Sequence, residues 1–212
     1  MSTSGPSPNR AEHWQGIYDA REEHEVGWFQ ETPARALKLI EAAGLPSDAA
    51  IIDVGGGASR LVDNLLDRGF TDLTVLDFTD AGIEKARQRL GDRQGLVTWL
   101  IADVTTWRPE RPYDLWHDRA VIHFLTEAAD RAAYLSTLRA AVPPGGQVII
   151  SSFAEDGPEM CSGLPVVRYG VEAMAAAFAG LLTLQESERE THHMPSGTAQ
   201  NWRYFRFLRD DD

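Results

Sequence analysis

The chain has 212 residues, 43% of them hydrophobic and 25% charged, and carries a formal net charge of -12. That length holds one well-buried α/β core and is short for two ordinary domains with a linker, and the apolar-to-charged balance is that of a globular chain rather than a disordered one. The acidic surplus works against a nucleic-acid partner, which is bound through Lys and Arg displacing counterions, and no apolar run reaches the roughly 20 residues of a bilayer-spanning helix, so neither nucleic acid nor membrane is an expected partner.

Residues 1–10, polar and punctuated by Gly5, Pro6 and Pro8, read as a disordered tail rather than a signal sequence. Cys161 is the one cysteine, which rules out an intramolecular disulfide and a Cys-only metal site. A cytoplasmic location is therefore expected, with no metal. From residue 11 to 212 the chain is expected to form a single domain, as a monomer or homodimer, with cap helices over 11–45. Ala11 to His24 follows a polar helical pattern that sets Trp14 and Tyr18 on one face. Val26, Trp28 and Phe29 form an apolar knot, and a second helix follows with Thr32 as N-cap, Pro33 at the first helical position, Leu37, Ile40 and Ala43 on one stripe, and Gly44 as the stop.

From Ala50 onward short apolar runs alternate with amphipathic segments, the signature of a parallel sheet with crossover helices. Strands are predicted at Ala50–Val54, Leu73–Leu76, Val97–Ile101, Tyr113–Trp116 and Gln147–Ser151, and helices at Ser59–Arg68, Asp80–Leu90, Glu127–Val142 and Val171–Ala179. Leu181–Glu190 and Ala199–Leu208 read as a closing hairpin around Pro195, Ser196 and Gly197, which makes the last strand antiparallel. Arg203, Arg206 and Arg209 on that strand read as a solvated edge.

The strongest local signal is Ile51-Ile52-Asp53-Val54-Gly55-Gly56-Gly57, a buried strand running into three glycines and then a helix. Glycines there permit positive φ and let a ligand lie against bare backbone, as in nucleotide-binding α/β folds. Asp77 closes the second strand, where a carboxylate can accept hydrogen bonds from ribose hydroxyls, and Asp103 follows the third, within reach of an adenine amino group. The dinucleotide fingerprint Gly-x-Gly-x-x-Gly fails in both registers, because its third glycine falls on Arg60 or Leu61. Asp53 ahead of the glycines also points away from a pyrophosphate and toward a cationic cofactor.

With Asp53-Val54-Gly55-Gly56-Gly57, Asp77, Asp103 and Val142-Pro143-Pro144-Gly145-Gly146 before the fifth strand, the chain resembles the class I methyltransferases that use S-adenosylmethionine (SAM) and release S-adenosylhomocysteine (SAH). The resemblance implies a three-layer, doubly wound α/β fold, Rossmann-like, with seven strands in the order 3-2-1-4-5-7-6 and strand seven antiparallel. It also implies that Asp53, Gly55, Gly56 and Gly57 hold the methionine part of SAM, that Asp77 binds the ribose, and that Phe78, Asp103 and Val104 contact adenine. The segment around Trp14, Tyr18 and Trp28 is similar to the cap of lysine methyltransferases acting on elongation factor 1A and of thiopurine methyltransferases. Where the lysine enzymes carry Asp-Lys-Gly-Thr after strand four, this chain has Asp118-Arg119-Ala120-Val121. A small-molecule acceptor is therefore expected ahead of a protein lysine.

The fourth strand runs into Trp116-His117-Asp118-Arg119, and polar groups at the C-terminal end of a central strand stand where such folds do chemistry. His117, Asp118 and Arg119 are the catalytic candidates, with Asp118 also a candidate cofactor contact. Methyl transfer from a sulfonium is a direct displacement, so alignment and water exclusion matter most, and a base is needed only for a protonated acceptor.

Overall fold

Each central strand alternates its buried side chains between two layers, and those layers dictate the architecture. A computed structural model describes residues 8–211. Among the described residues, helix α1 (Pro8–Ala20) and α2 (Ala34–Ala42) precede strand β1 (Ala50–Val54), α3 (Leu61–Asp67), β2 (Asp72–Asp77), α4 (Asp80–Leu90), β3 (Val97–Ile101) and β4 (Leu115–Arg119). Helix α5 (Ala128–Ala141), β5 (Gln147–Phe153), the short strands β6 (Met160–Cys161) and β7 (Leu164–Pro165), α6 (Val171–Ala177), β8 (Leu182–His193) and β9 (Ala199–Arg209) complete the fold.

The main sheet runs β3-β2-β1-β4-β5-β9-β8. Strands β1 to β5 are parallel, and β9 enters antiparallel to β5 (Ile150 opposite Phe205). This is the expected seven-strand order, with β9 and β8 in the places of strands seven and six. Ile52, Val54, Trp116, Val148, Ile150, Phe205 and Phe207 face α5 and α6, where Tyr134, Leu138, Met174 and Phe178 complete one core. On the other face Ile51, Leu73, Val75, Leu115, Ile149 and Tyr204 pack against Leu37 and Ile40 of α2 and Leu61, Val62 and Leu65 of α3. Two buried layers of this kind are what hold a parallel sheet.

Several boundaries depart from the sequence reading. Helix α1 begins at Pro8, inside the expected tail, and ends at Ala20, after which Glu23–Glu25 makes a separate 3-10 turn; residues 1–7 lie outside the described residues. Pro33 is the N-cap residue of α2 and Thr32 is not, the Ala34 amide donating to the Thr32 carbonyl at 2.8 Å. Strand β4 continues to Arg119 rather than stopping at Trp116, because His117 and Asp118 find buried partners in the fold. Strand β9 lies inside the sheet between β5 and β8, so its arginines are not a free edge: Arg203 pairs with Glu155, Arg206 with Glu186, and Arg209 is buried. The β6–β7 hairpin was not foreseen.

Candidate active site

The C-terminal ends of the parallel strands open into a cavity with about 890 Å³ of empty space, counting the part open to solvent. Gly55, Asp77, Phe78 and Asp103 line it on the β1–β3 side. Arg119, Ala120, Val121 and Phe124, which follow β4, line the other side together with Trp202 of β9 and Cys161 and Leu164 of the β6–β7 hairpin. Arg10, Trp14 and Tyr18, each one helical turn further along α1, roof it with Trp28.

Bare backbone at Gly55 lines the cavity, and Gly57 packs against Tyr18 and Asp77, which line it. Gly55 and Gly57 have φ of 68° and 44°, a region that costs a residue with a Cβ. A Cβ on Gly55 would overlap the Val121 side chain, and one on Gly57 would lie 2.5 Å from Tyr18 Oη and 3.0 Å from Asp77 Oδ2. Gly56 turns inward instead: a Cβ on it would lie 2.7 Å from Asp53 Oδ2 and 2.8 Å from the Val75 side chain, so it permits close packing under the loop and does not line the cavity.

Asp77 and Asp103 share one local construction. The amide and hydroxyl of Thr79 both donate to Asp77 Oδ1, at 2.8 and 2.7 Å, and those of Thr105 both donate to Asp103 Oδ1 at 2.8 Å. One oxygen of each carboxylate is thereby fixed and the other is left for a ligand. Burial pushes the Asp77 carboxyl up to about 6, against the Thr79 hydrogen bonds that hold it down and with Asp53 nearby adding to the rise. Burial likewise holds the Tyr18 hydroxyl neutral, its pKa raised well above the ordinary value, with Asp77 nearby adding to the rise.

The predicted site residues divide. Trp14, Trp28, Gly55, Asp77, Phe78, Asp103 and Arg119 line the cavity. Val104 does not: its side chain is 5% exposed and belongs to the core beneath. Asp118 is also not a wall of the cavity. Its Oδ1 accepts the Val121 amide at 2.7 Å, and its Oδ2 accepts the Ile122 amide at 3.1 Å and the Tyr134 hydroxyl at 2.7 Å. With the Trp116 indole donating to Tyr134 Oη at 2.9 Å, it caps the turn after β4 and holds Ala120 at φ 81°. Burial raises its carboxyl to about 6, against those donors, which hold it down. The assignment of Asp118 to catalysis or cofactor contact is corrected on that geometry.

His117 lies opposite Asp53 in the β1–β4 register and donates from Nδ1 to Asp53 Oδ1 at 2.7 Å. It faces a second, smaller hollow of about 430 Å³ shared with Glu23, Phe29, Arg60 and Arg119, behind the glycine loop. Asp53 and His117 thus form a buried pair beneath the cradle rather than a wall of the main cavity. His123, boxed by Phe124, Phe153 and Trp202, is fully buried and held neutral, its pKa lowered to about 3 by burial with Arg119 adding to the fall. Tyr18, read in the sequence as part of the cap, lines the cavity too. Arg10, Val121, Leu164 and Trp202 also line it and stood outside the predicted site, the spacing of Arg10, Trp14 and Tyr18 being the available signal for Arg10.

Residues 52–148 match the family described as Methyltransferase domain. On that stretch, just under half of its length, the chain is similar to the methyltransferases that use SAM. It is 27% identical over 157 residues to EEF1A lysine methyltransferase 2 of Danio rerio, spanning 66% of this chain and 67% of that one. It is 32% identical over 125 residues to trans-aconitate 2-methyltransferase of Methylobacterium radiotolerans, spanning 58% of this chain and 45% of that one. The chain therefore spans two thirds of one relative and under half of the other. The crystal structure of the 1,6-didemethyltoxoflavin-N1-methyltransferase of Burkholderia thailandensis shares the fold, with a TM-score of 0.68 at 20% identity over 100% of this chain and 94% of that one.

The residues present fit SAM. A cradle that any Cβ would fill stands at residues 55 and 57, and the free oxygens of Asp77 and Asp103 suit hydroxyl and amino donors. Trp14, Trp28 and Tyr18 offer aromatic faces to a sulfonium.

Proposed function

We propose that the chain moves the methyl group of SAM onto a small-molecule acceptor seated on the Arg119 side of the cavity. The observation that supports this most is enclosure: α1 roofs the cavity, with His13 Nε2 donating to the Ser162 carbonyl of the β6–β7 hairpin at 2.8 Å, Arg10 paired with Asp130 at 3.3 Å, and Gln15 Oε1 accepting the Ala81 amide at 3.4 Å. A chamber so covered suits a small guest better than a groove for an extended polypeptide.

When bound, SAM supplies an electrophilic methyl: the acceptor's lone pair forms the new bond to carbon as the carbon–sulfur bond breaks and its electron pair returns to sulfur. The chain's own contribution is positional. Gly55 and Gly57 allow close approach, Asp77 and Asp103 fix orientation, and the aromatic roof excludes water from the reacting line. Among the described residues that line the chamber there is no histidine or lysine, so the reading favours an acceptor atom that arrives already nucleophilic, such as a carboxylate or thiolate oxygen or sulfur.

A protein lysine is the second reading, favoured by the similarity to EEF1A lysine methyltransferase 2; the similarity to trans-aconitate 2-methyltransferase favours the first. Methyl-labelled SAM incubated with the protein and a cell extract separates them. Label is expected in the small-molecule fraction, and label confined to protein would replace the first reading with the second.

A further inference from the structure

Arg119 carries a half-buried positive charge that no carboxylate pairs with among the described residues. Its Nη1 donates to the Trp28 carbonyl at 2.9 Å, its Nε to the Tyr204 hydroxyl at 3.4 Å, and its guanidinium lies 4.7 Å from the Trp202 ring centroid. All three partners are neutral. Its Nη2 is buried and has no hydrogen-bond partner among the described residues. This occurs in a chain where 32 acidic residues outnumber 20 Lys and Arg, and where the other arginine of the cavity, Arg10, is paired with Asp130. A partly buried cation without a paired carboxylate is costly, and an unpaired guanidinium nitrogen on a residue that lines a ligand cavity is relieved by an anionic oxygen.

The surroundings of Arg119 point the same way. Ser151, opposite Arg119 in the β4–β5 register, has a buried hydroxyl without a partner among the described residues, and so does the indole nitrogen of Trp202. The rest of that side is apolar or aromatic: Phe124, Leu125, Leu164 and Trp202. Sheet order sets this side apart from the carboxylates. Asp103 and Asp77 end β3 and β2 on one flank of Gly55, whereas Arg119 and Trp202 stand on β4 and β9 on the other. The cavity is therefore acidic where the cofactor's hydroxyl and amino donors would lie and cationic where an acceptor would.

We infer that Arg119 is a specificity-determining residue that binds a carboxylate of the acceptor, so that the acceptor is a small apolar or aromatic carboxylic acid. The inference rests on the methyl-transfer reading above and deepens it. Trp14, Trp28 and Trp202 line the cavity, so tryptophan fluorescence of the full chain reports occupancy.

The test titrates the SAH-saturated protein with 3-phenylpropionate and with its neutral amide, 3-phenylpropionamide. The acid is expected to bind at least about tenfold tighter than the amide, as loss of a hydrogen bond to a charged group implies. In Arg119→Met the acid should fall to within about twofold of the amide, and Arg119→Lys should keep part of the preference. SAH affinity, measured alongside, reports on the underlying reading: no SAH binding sinks methyl transfer itself. SAH binding with acid and amide indistinguishable, with no acid binding, or with the preference intact in Arg119→Met overturns the role of Arg119. Should Arg119→Met fail to fold, the wild-type pair and Arg119→Lys decide the matter on the same terms.

Discussion

Asp77 ties a local motif to a measurable dependence on acidity. Its Oδ1 is taken by Thr79 while its Oδ2 faces the cavity beside Gly57, and burial places its titration at about 6. A ribose hydroxyl donates best to the ionised form, so cofactor binding favours the carboxylate and is weakened as acid protonates it. The expected result is an SAH affinity that is flat above about pH 7 and falls about tenfold as pH drops through 6, with that dependence absent in Asp77→Asn. Calorimetry across pH 5 to 8 is the measurement, and an unchanged pH profile in Asp77→Asn would remove Asp77 from the cofactor contacts. The carboxylates themselves were legible in the sequence because each ends a strand followed by a helix or turn. The repeated Asp-x-Thr of residues 77–79 and 103–105 was legible too and went unused, although a hydroxyl two residues after a carboxylate is a recognised local hydrogen-bonding pattern.

At the scale of elements, β4 shows why a polar run can be a buried strand. Its last three residues alternate between faces: His117 and Arg119 toward α2 and α3, Asp118 toward α5. The strand reads as ended at Trp116 because charge rarely enters a central strand, and it continues because Asp53, Tyr134 and the turn amides satisfy that charge. Those partners are distant in sequence, so no local pattern announces them. Tyr134→Phe removes a donor to Asp118 and strands the Trp116 indole, and should cost about 1 to 3 kcal/mol in urea denaturation while leaving SAH affinity within about twofold. A loss of affinity without a loss of stability would return Asp118 to the site. The parallel sheet with crossover helices was readable from the alternation of apolar runs with amphipathic segments and the closing hairpin from its turn residues, whereas the strand order came from the family resemblance. The β6–β7 hairpin was not, since two-residue strands carry no period. Trp202 escaped notice for a related reason: its place above Arg119 depends on β9 entering between β5 and β8, a matter of pairing rather than pattern.

For the whole molecule, the charge of -12 acts on the two forms of the cofactor differently. SAM carries a net positive charge and SAH none, so the protein's field attracts the first and is indifferent to the second. Raising salt from about 50 to about 500 mM shortens the screening length from roughly 14 to 4 Å and should weaken SAM several-fold while leaving SAH nearly unchanged, as read by calorimetry. Equal salt slopes would mean that the field plays no part in choosing between them.

The roof over the cavity has a further consequence. Helix α1 is moored at three places, to Ser162 in the small hairpin, to Ala81 at the head of α4 and to Asp130 on α5, and it spans the berths of donor and acceptor alike. On the proposed placement of donor and acceptor both berths would share one door, and casting off those moorings would open the passage for each guest at the same moment.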